Sequence, residues 1–212
     1  WRQALRAEDY VANGGYAAAL LWDLQSFFDT IDLDLLWRKA VRANFPLVPL
    51  RLALSAYTAP RAVQTSLGRC SPVAPTRGVA PGCSFAKALV HLYYLEDLDK
   101  FVKLHSNVFL DVYIDDITIS VQHPCPLTAE SRLVAAAASM SNIIVNDLKC
   151  SIAVCKASLL SSSNALLVAL RKKIGALAGF ETVSAPNLGV DFSAGRKRRH
   201  TSAVRLTRIK GG

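Results

Sequence analysis

The chain has 212 residues, of which 51% are apolar, enough material for the core of one folded domain and too much for a disordered polymer. Its formal charge is +9, but seven basic residues and no acid lie in the segment 196–210, so residues 1–195 carry only about +2. No apolar run approaches the roughly 18 residues of a membrane span, and no signal peptide opens the chain, so we expect an intracellular protein without a membrane partner.

The first part of the chain changes from a helical pattern to a strand pattern. Residues 2–12 are expected to form a short helix, and the unbroken apolar run 17–22 is typical of a buried strand that ends at Asp23. An acid at this position either caps a turn or is delivered to a site above the sheet edge, and the run alone leaves both open. Asp32 is expected to cap the helix whose apolar stripe begins at Leu33.

The middle of the chain predicts two more helices around an extended segment. Pro46 opens the first of these helices, and residues 61–79 are expected to form an extended ribbon. A tight loop over 81–84 then precedes a helix over 85–103, which is apolar at its start and polar at its end.

The sequence Tyr113-Ile114-Asp115-Asp116 lies between two short apolar runs, 107–112 and 117–121, that predict a hairpin. Two acids at the tip of a hairpin repel one another, and a divalent cation between them would remove that repulsion. An ordinary solvated turn is the alternative, because Asp is common in turns.

The last part of the chain predicts a helix over 128–144, a strand over 149–157, a helix over 167–177, and a turn with a short strand over 186–192. The whole order contains β-α-β-β-α-β, so we predict an α+β fold with a ferredoxin-like antiparallel sheet and helices on one face. The first strand and the hairpin are central neighbours in that topology. Asp23 and Asp115 are therefore expected to meet at one edge of the sheet.

The residues near these acids favour one kind of metal chemistry. Carboxylates from adjacent strands suit Mg²⁺ or Mn²⁺ rather than zinc, and a two-ion site would stabilise both oxygens of an in-line phosphoryl displacement. The five cysteines form no Cys-x-x-Cys pair, and no second ligand pair accompanies His123 and Cys125. We expect neither a disulfide framework nor a zinc site.

Five segments between residues 17 and 192 resemble, in the right order, the five motifs of reverse transcriptases. They are WDLQSFFDTI at 22–31 for motif A, RGVAPGCS at 77–84 for motif B, YIDD at 113–116 for motif C, NDLK at 146–149 for motif D and LGV at 188–190 for motif E. These motifs are most similar to those of non-LTR retrotransposon enzymes, particularly the divergent copies of dinoflagellate genomes. The resemblance implies the fold of a polymerase palm.

The resemblance also implies the catalytic and metal-binding residues. Asp23 and Asp115 would hold two Mg²⁺ ions, or Mn²⁺, with Asp116 sharing the ligation and the backbone carbonyl of Leu24 contributing. Lys149 is at the position of the lysine that is proposed to protonate pyrophosphate. A solvated lysine at the start of a strand is the alternative for Lys149.

Four further residues are implied to bind the nucleotide. Phe28 would be a steric gate under the sugar, or else an ordinary core residue, and Gly82 would let the backbone approach the base pair. Arg77 would bind phosphate or template backbone, with a plain surface charge as the alternative. Tyr113 has the strand parity of Asp115, so we expect both on one face, with Tyr113 near the primer end.

The chain departs from the family pattern in ways that affect the expected activity. Pro81 stands where motif B usually has Gln, which removes a side-chain amide and a backbone N–H. We expect residues 17–192 to form the palm, 1–16 to be a remnant before it, and 193–212 to be a basic tail or truncated thumb start. Because the chain opens with Trp1, we expect an excerpt or a partial gene product. Only 22 residues precede Asp23 and only 23 follow Gly189, so we expect the fingers and thumb segments of the parent polyprotein to be missing.

Three interpretations of the basic tail stay open. It could bind along a phosphate backbone, act as a nuclear import signal, or be the disordered start of a lost thumb. Its first four basic residues are the candidate nucleic-acid contacts, namely Arg196, Lys197, Arg198 and Arg199. The nucleus is accordingly one candidate location.

The sequence thus predicts an RNA-directed DNA polymerase palm whose partners are an RNA template, a DNA primer and dNTPs. The rival prediction is a catalytically inactive relic of a retroelement that binds nucleic acid or a partner protein. A phosphatase built on Asp32 and Asp34 is rejected, because that pair enters a helix instead of ending a buried strand.

Overall fold

The computed structural model describes residues 2–182, 184–187 and 190–195. Its α-helices are α1 Arg2–Ala12, α2 Phe27–Thr30, α3 Leu33–Arg42, α4 Leu47–Thr58, α5 Ala86–Leu104, α6 Pro126–Asn142 and α7 Asn164–Ile174. A π-helical turn, Ile143–Asp147, follows α6, and a 3₁₀ turn, Gly175–Ala178, follows α7. None of the helices in these ranges has the length and apolar character needed to cross a membrane.

The strands are β1 Tyr16–Asp23, β2 Gln64–Thr65, β3 Gly68–Arg69, β4 Phe109–Tyr113, β5 Asp116–His123, β6 Ser158–Ser161, β7 Phe180–Glu181, β8 Ala185–Asn187 and β9 Val190–Phe192. The main sheet has the order β4-β5-β1-β6-β7, while β2 pairs with β3 and β8 pairs with β9. Every pairing in the main sheet is antiparallel except that of β6 with β7. Its first four strands have the ferredoxin-like order, so the predicted α+β fold is confirmed.

Successive residues of β1 enter two different cores, because neighbouring side chains of a strand point to opposite faces of the sheet. The even-numbered residues from Ala18 to Trp22 pack into a core shared with α2 to α7. The odd-numbered residues from Ala17 to Leu21 pack against α1 and the β8–β9 hairpin. The helices α2 to α7 thus lie on the predicted face, and α1 adds a layer on the other.

Asp32 begins α3 as the sequence predicted, since its side chain accepts a hydrogen bond of 2.9 Å from the Leu35 N–H. The same residue is held from behind by Tyr93 of α5. The Asp32 N–H donates to the Tyr93 hydroxyl at 3.2 Å, and that hydroxyl donates to the Leu148 carbonyl at 2.7 Å. Asp32 is therefore fixed between α3, α5 and the end of the π-helical turn.

The prediction of a strand over 149–157 was wrong. Lys149 has a φ of +54°, and the N–H groups of Lys156 and Ala157 both donate to the Ala153 carbonyl, at 2.9 and 3.1 Å. A single bridge between Leu24 and Ile152 attaches this loop to the end of β1, and β6 begins only at Ser158. The apolar pattern of residues 149–157 continues through this turn. Apolar spacing alone does not distinguish such a turn from an extended strand.

Candidate active site

The antiparallel register of β1 and β5 places Asp23 directly opposite Asp116. Residues paired in this way have Cα atoms roughly 4.5–5.5 Å apart. Eight successive pairs hold this register, from Tyr16 opposite His123 to Asp23 opposite Asp116. Two acids that are about 90 positions apart in the sequence therefore meet at the sheet edge.

Asp115 lies in the turn between β4 and β5, where Ile114 has a φ of +57°. The Asp115 carbonyl accepts a hydrogen bond of 3.0 Å from the Leu24 N–H, which fixes the turn to the end of β1. Tyr113 pairs with Asp116 and so shares a face with Asp116 and Asp23. Strand alternation had instead predicted Tyr113 and Asp115 on one face, because that prediction did not allow for a turn between the strands.

The three acids share one electrostatic environment. Burial raises the pKa of Asp116, and the negative charges of Asp115 and then of Asp23 raise this pKa further. Lys156 lowers the pKa of Asp116 to a smaller extent. The ionised forms of these carboxylates therefore disfavour one another, which is the condition under which a bound cation stabilises a site.

Replacing Asp116 with asparagine is expected to raise the melting temperature of the chain slightly at pH 7 in EDTA. Because folding raises the pKa of Asp116, its ionised form costs stability above the folded-state pKa. This cost is absent below the unfolded-state pKa of about 3.9, so the gain should vanish at pH 3. Thermal melts at both pH values check this, and a lower melting temperature of the variant at pH 7 would contradict it.

Lys156 is the cation that the structure places at these acids. Its Nζ donates to both carboxylate oxygens of Asp23, at 3.0 and 3.1 Å, and this pairing raises the pKa of Lys156. The apolar pattern of residues 149–157 predicted a strand and did not single out Lys156. The sequence signal that could have identified Lys156 is its position just before β6, the strand that pairs with β1.

The acids fit Mg²⁺ or Mn²⁺ by their chemistry, since they offer hard oxygen ligands and their mutual repulsion would fall on binding. Within the part of the chain that is described, no three His, Cys, Asp or Glu side chains are already arranged as a metal site. Lys156 holds the Asp23 oxygens that such an ion would need. The Leu24 side chain is buried, and ligation by its carbonyl stays a prediction.

Lys149 forms its ion pair with a different acid. Its Nζ lies 2.9 Å from Oδ2 of Asp32, the residue that caps α3. This hydrogen bond is the largest cause that lowers the pKa of Asp32, and the positive charge of Arg77 lowers it as well. Lys149 and Arg77 therefore both stabilise the ionised form of Asp32, which caps the start of α3.

The segment that begins motif B runs alongside motif A. The Val79 N–H donates to the Phe28 carbonyl at 2.8 Å, and the Gly78 N–H donates to the Ile31 carbonyl at 2.9 Å. Phe28 is half-buried, whereas Phe27 is buried and stacks on Tyr94. The Phe28 ring packs against the main core, with its centroid 6.1 Å from that of the Phe27 ring.

The remaining candidate residues are farther from the acids in the chain. Gly82 has a φ of +81°, which favours glycine, and open space surrounds the position of a Cβ there. Pro81 precedes it in the same turn. The Leu188-Gly189 turn of motif E and the tail residues 196–199 lie outside the described residues.

A ferredoxin-like sheet with acids at the ends of its two central strands defines an α+β protein with an acidic sheet edge. The chain belongs to the reverse transcriptase (RNA-dependent DNA polymerase) family, whose model matches residues 2–192. No curated protein is significantly similar to it.

Solved structures with this fold include telomerases from two Candida species. Apo telomerase of Candida tropicalis, truncated from its C-terminal domain, has a TM-score of 0.63 at 11% identity, over 91% of this chain and 38% of that chain. Telomerase of Candida albicans in complex with a TWJ fragment of telomeric RNA has a TM-score of 0.62 at 12% identity, over 98% and 38%. These likenesses show the fold, and the chain spans less than two fifths of either telomerase chain.

Proposed function

We propose that the chain is the palm of an RNA-directed DNA polymerase of non-LTR retrotransposon type. It would add dNTPs to the 3′-hydroxyl of a DNA primer on an RNA template. The observation that carries this proposal is the placement of Asp23 opposite Asp116, with Asp115 in the adjoining turn, in a chain of the reverse transcriptase family. The palm would comprise residues 17–192, between a short preceding segment and the basic tail.

Asp23 and Asp115 are the proposed ligands of two divalent ions, with Asp116 sharing the ligation. Bound Mg²⁺ or Mn²⁺ would activate the primer 3′-hydroxyl and neutralise the departing pyrophosphate. The hydrogen bond between the Leu24 N–H and the Asp115 carbonyl holds the turn in place, so the carboxylates keep their relative positions. The proposal assigns the protein a positioning and charge-stabilising role.

The nucleotide and primer would lie on the face of the sheet that carries Asp23. Tyr113 is 54% exposed on this face, where it is available to contact the primer end. The half-buried ring of Phe28 is the proposed steric gate against a 2′-hydroxyl, and Arg77 the proposed phosphate contact. Gly82 would permit close approach of the base pair.

Lys149 remains the proposed proton donor to pyrophosphate. That role requires Lys149 to leave Asp32, and a partly exposed ion pair of this kind is worth only about 0.2–1 kcal/mol, so release is readily accessible. The tail residues Arg196, Lys197, Arg198 and Arg199 are proposed to contact the nucleic-acid backbone.

The proposal places this chain within a larger enzyme. The telomerase chains with the same fold are far longer, and one is described in complex with telomeric RNA. We accordingly propose that fingers and thumb segments complete the grip on RNA template and DNA primer.

Primer extension on an RNA template with dNTPs tests the proposal. The chain would be assayed alone and joined to the fingers and thumb of an active reverse transcriptase. We expect Mg²⁺-dependent extension from the joined protein and none in EDTA. Absence of extension by the joined protein would instead support an inactive relic that binds nucleic acid or a partner. Pro81, which replaces the usual Gln of motif B, favours this alternative.

A further inference from the structure

The Asp23 carboxylate already has a cationic partner in this chain. Both of its oxygens accept hydrogen bonds from Nζ of Lys156, and the side chain of Asp23 is 22% exposed whereas that of Lys156 is 64% exposed. The ammonium group also interacts favourably with Asp115. The Lys156 ammonium group thus holds both Asp23 carboxylate oxygens, which a divalent ion bound there would need.

The backbone around Lys156 is fixed by hydrogen bonds, whereas its side chain is largely exposed. The Ala153 N–H donates to the Asp23 carbonyl at 2.8 Å, and the Gln25 N–H donates to the Ser151 carbonyl at 2.8 Å. These bonds flank the bridge between Leu24 and Ile152. The lysine is therefore held beside the acids, and its exposed side chain can swing into solvent without disturbing the sheet.

We propose that Lys156 is a tethered counter-cation, which neutralises Asp23 when no metal is bound and competes with the divalent ion for its oxygens. This inference rests on the proposed metal site. An ion that enters must break the Lys156–Asp23 pair, so the measured affinity for the ion is lower than the acids alone would give. The benefit to the chain is that the carboxylates are not left unneutralised before the substrate and its metal arrive.

Binding of Mn²⁺ to the 212-residue chain, measured from the electron paramagnetic resonance signal of free Mn²⁺, tests the competition without requiring catalysis. Because a solvent-exposed ion pair contributes little, we expect Lys156→Met to tighten Mn²⁺ binding by about two- to fivefold. Lys156→Arg retains the charge and is not expected to tighten binding.

The matched control is Lys100→Met. The Lys100 side chain has the same 64% exposure and pairs with Glu96 at 2.8 Å, and the substitution removes the same charge. Arg42 also pairs with Glu96, so that acid keeps a partner. We expect its Mn²⁺ affinity to equal that of the unmodified chain, and circular dichroism to show that both variants are folded.

Equal affinity of Lys156→Met and the unmodified chain, or equal tightening by Lys100→Met, would overturn the competition. Asp23→Asn separates this failure from failure of the proposed function. If Asp23→Asn weakens Mn²⁺ binding but Lys156→Met does not tighten it, only the competition is wrong. If Asp23→Asn has no effect, or if no variant binds Mn²⁺, the metal site and the competition are both wrong.

Discussion

Replacing Asp23 with asparagine is expected to reduce primer extension by the joined protein by about 10³-fold. Asparagine keeps the size of the side chain and its place at the end of β1, but it removes the charge that ligates a divalent ion. The loss should fall on the rate of nucleotide addition at saturating dNTP, because ligation of the reacting ions matters most in the transition state. Single-turnover extension on an RNA template measures it.

Asp111→Asn is the matched control for this substitution. Asp111 lies on the same face of the sheet as Tyr113, its side chain is 49% exposed, and its ion pair with Arg6 is 3.9 Å long. Because it is outside the proposed ligand set, we expect extension to change by no more than about twofold. Similar losses from Asp23→Asn and Asp111→Asn would mean that net charge on this face, not ligation, controls the rate.

Replacing Gly179 with alanine is expected to lower the free energy of unfolding by about 3 kcal/mol or more. A Cβ at this position would lie 2.0 Å from the carbonyl oxygen of Ala157 and 2.4 Å from its carbonyl carbon. The same oxygen accepts a hydrogen bond of 2.9 Å from the Phe180 N–H, so it cannot move without disturbing the pairing of β6 with β7. Urea unfolding measures the loss.

Gly175→Ala separates this clash from backbone strain. Gly175 has φ +69° and ψ −138°, close to the φ +61° and ψ −132° of Gly179, but no atom lies within 4 Å of its Cβ position. The Gly175→Ala variant should lose only about 1–3 kcal/mol of unfolding free energy, which comes from backbone strain. Equal losses for the two variants would show that the Ala157 carbonyl is not a rigid neighbour.

The fold could be predicted from the sequence because its main elements carry strong periodic signals. The apolar run that became β1 and the stripes that became α3, α5 and α6 require burial on particular faces, and burial determines how they pack. Once the β-α-β-β-α-β order is recognised, chain connectivity places β1 beside the hairpin. The meeting of Asp23 with the hairpin acids follows from this topology.

The loop before β6 could not be predicted in the same way. Its turn depends on hydrogen bonds to the Ala153 carbonyl and on a left-handed residue at Lys149, and neither has a signal in apolar spacing. The ion-pair partners of two lysines could consequently not be predicted. Lys149 pairs with Asp32, whereas Lys156, which was not singled out, pairs with Asp23.

In the proposed site, Asp23, Asp115 and Asp116 bind the same divalent ions. The most direct test is the anomalous scattering of Mn²⁺ in crystals of the chain. We expect a Mn²⁺ peak within about 2.5 Å of carboxylate oxygens from both Asp23 and Asp115, with Lys156 displaced from Asp23. Saturating Mn²⁺ that binds only elsewhere, with Lys156 still on Asp23, would contradict it.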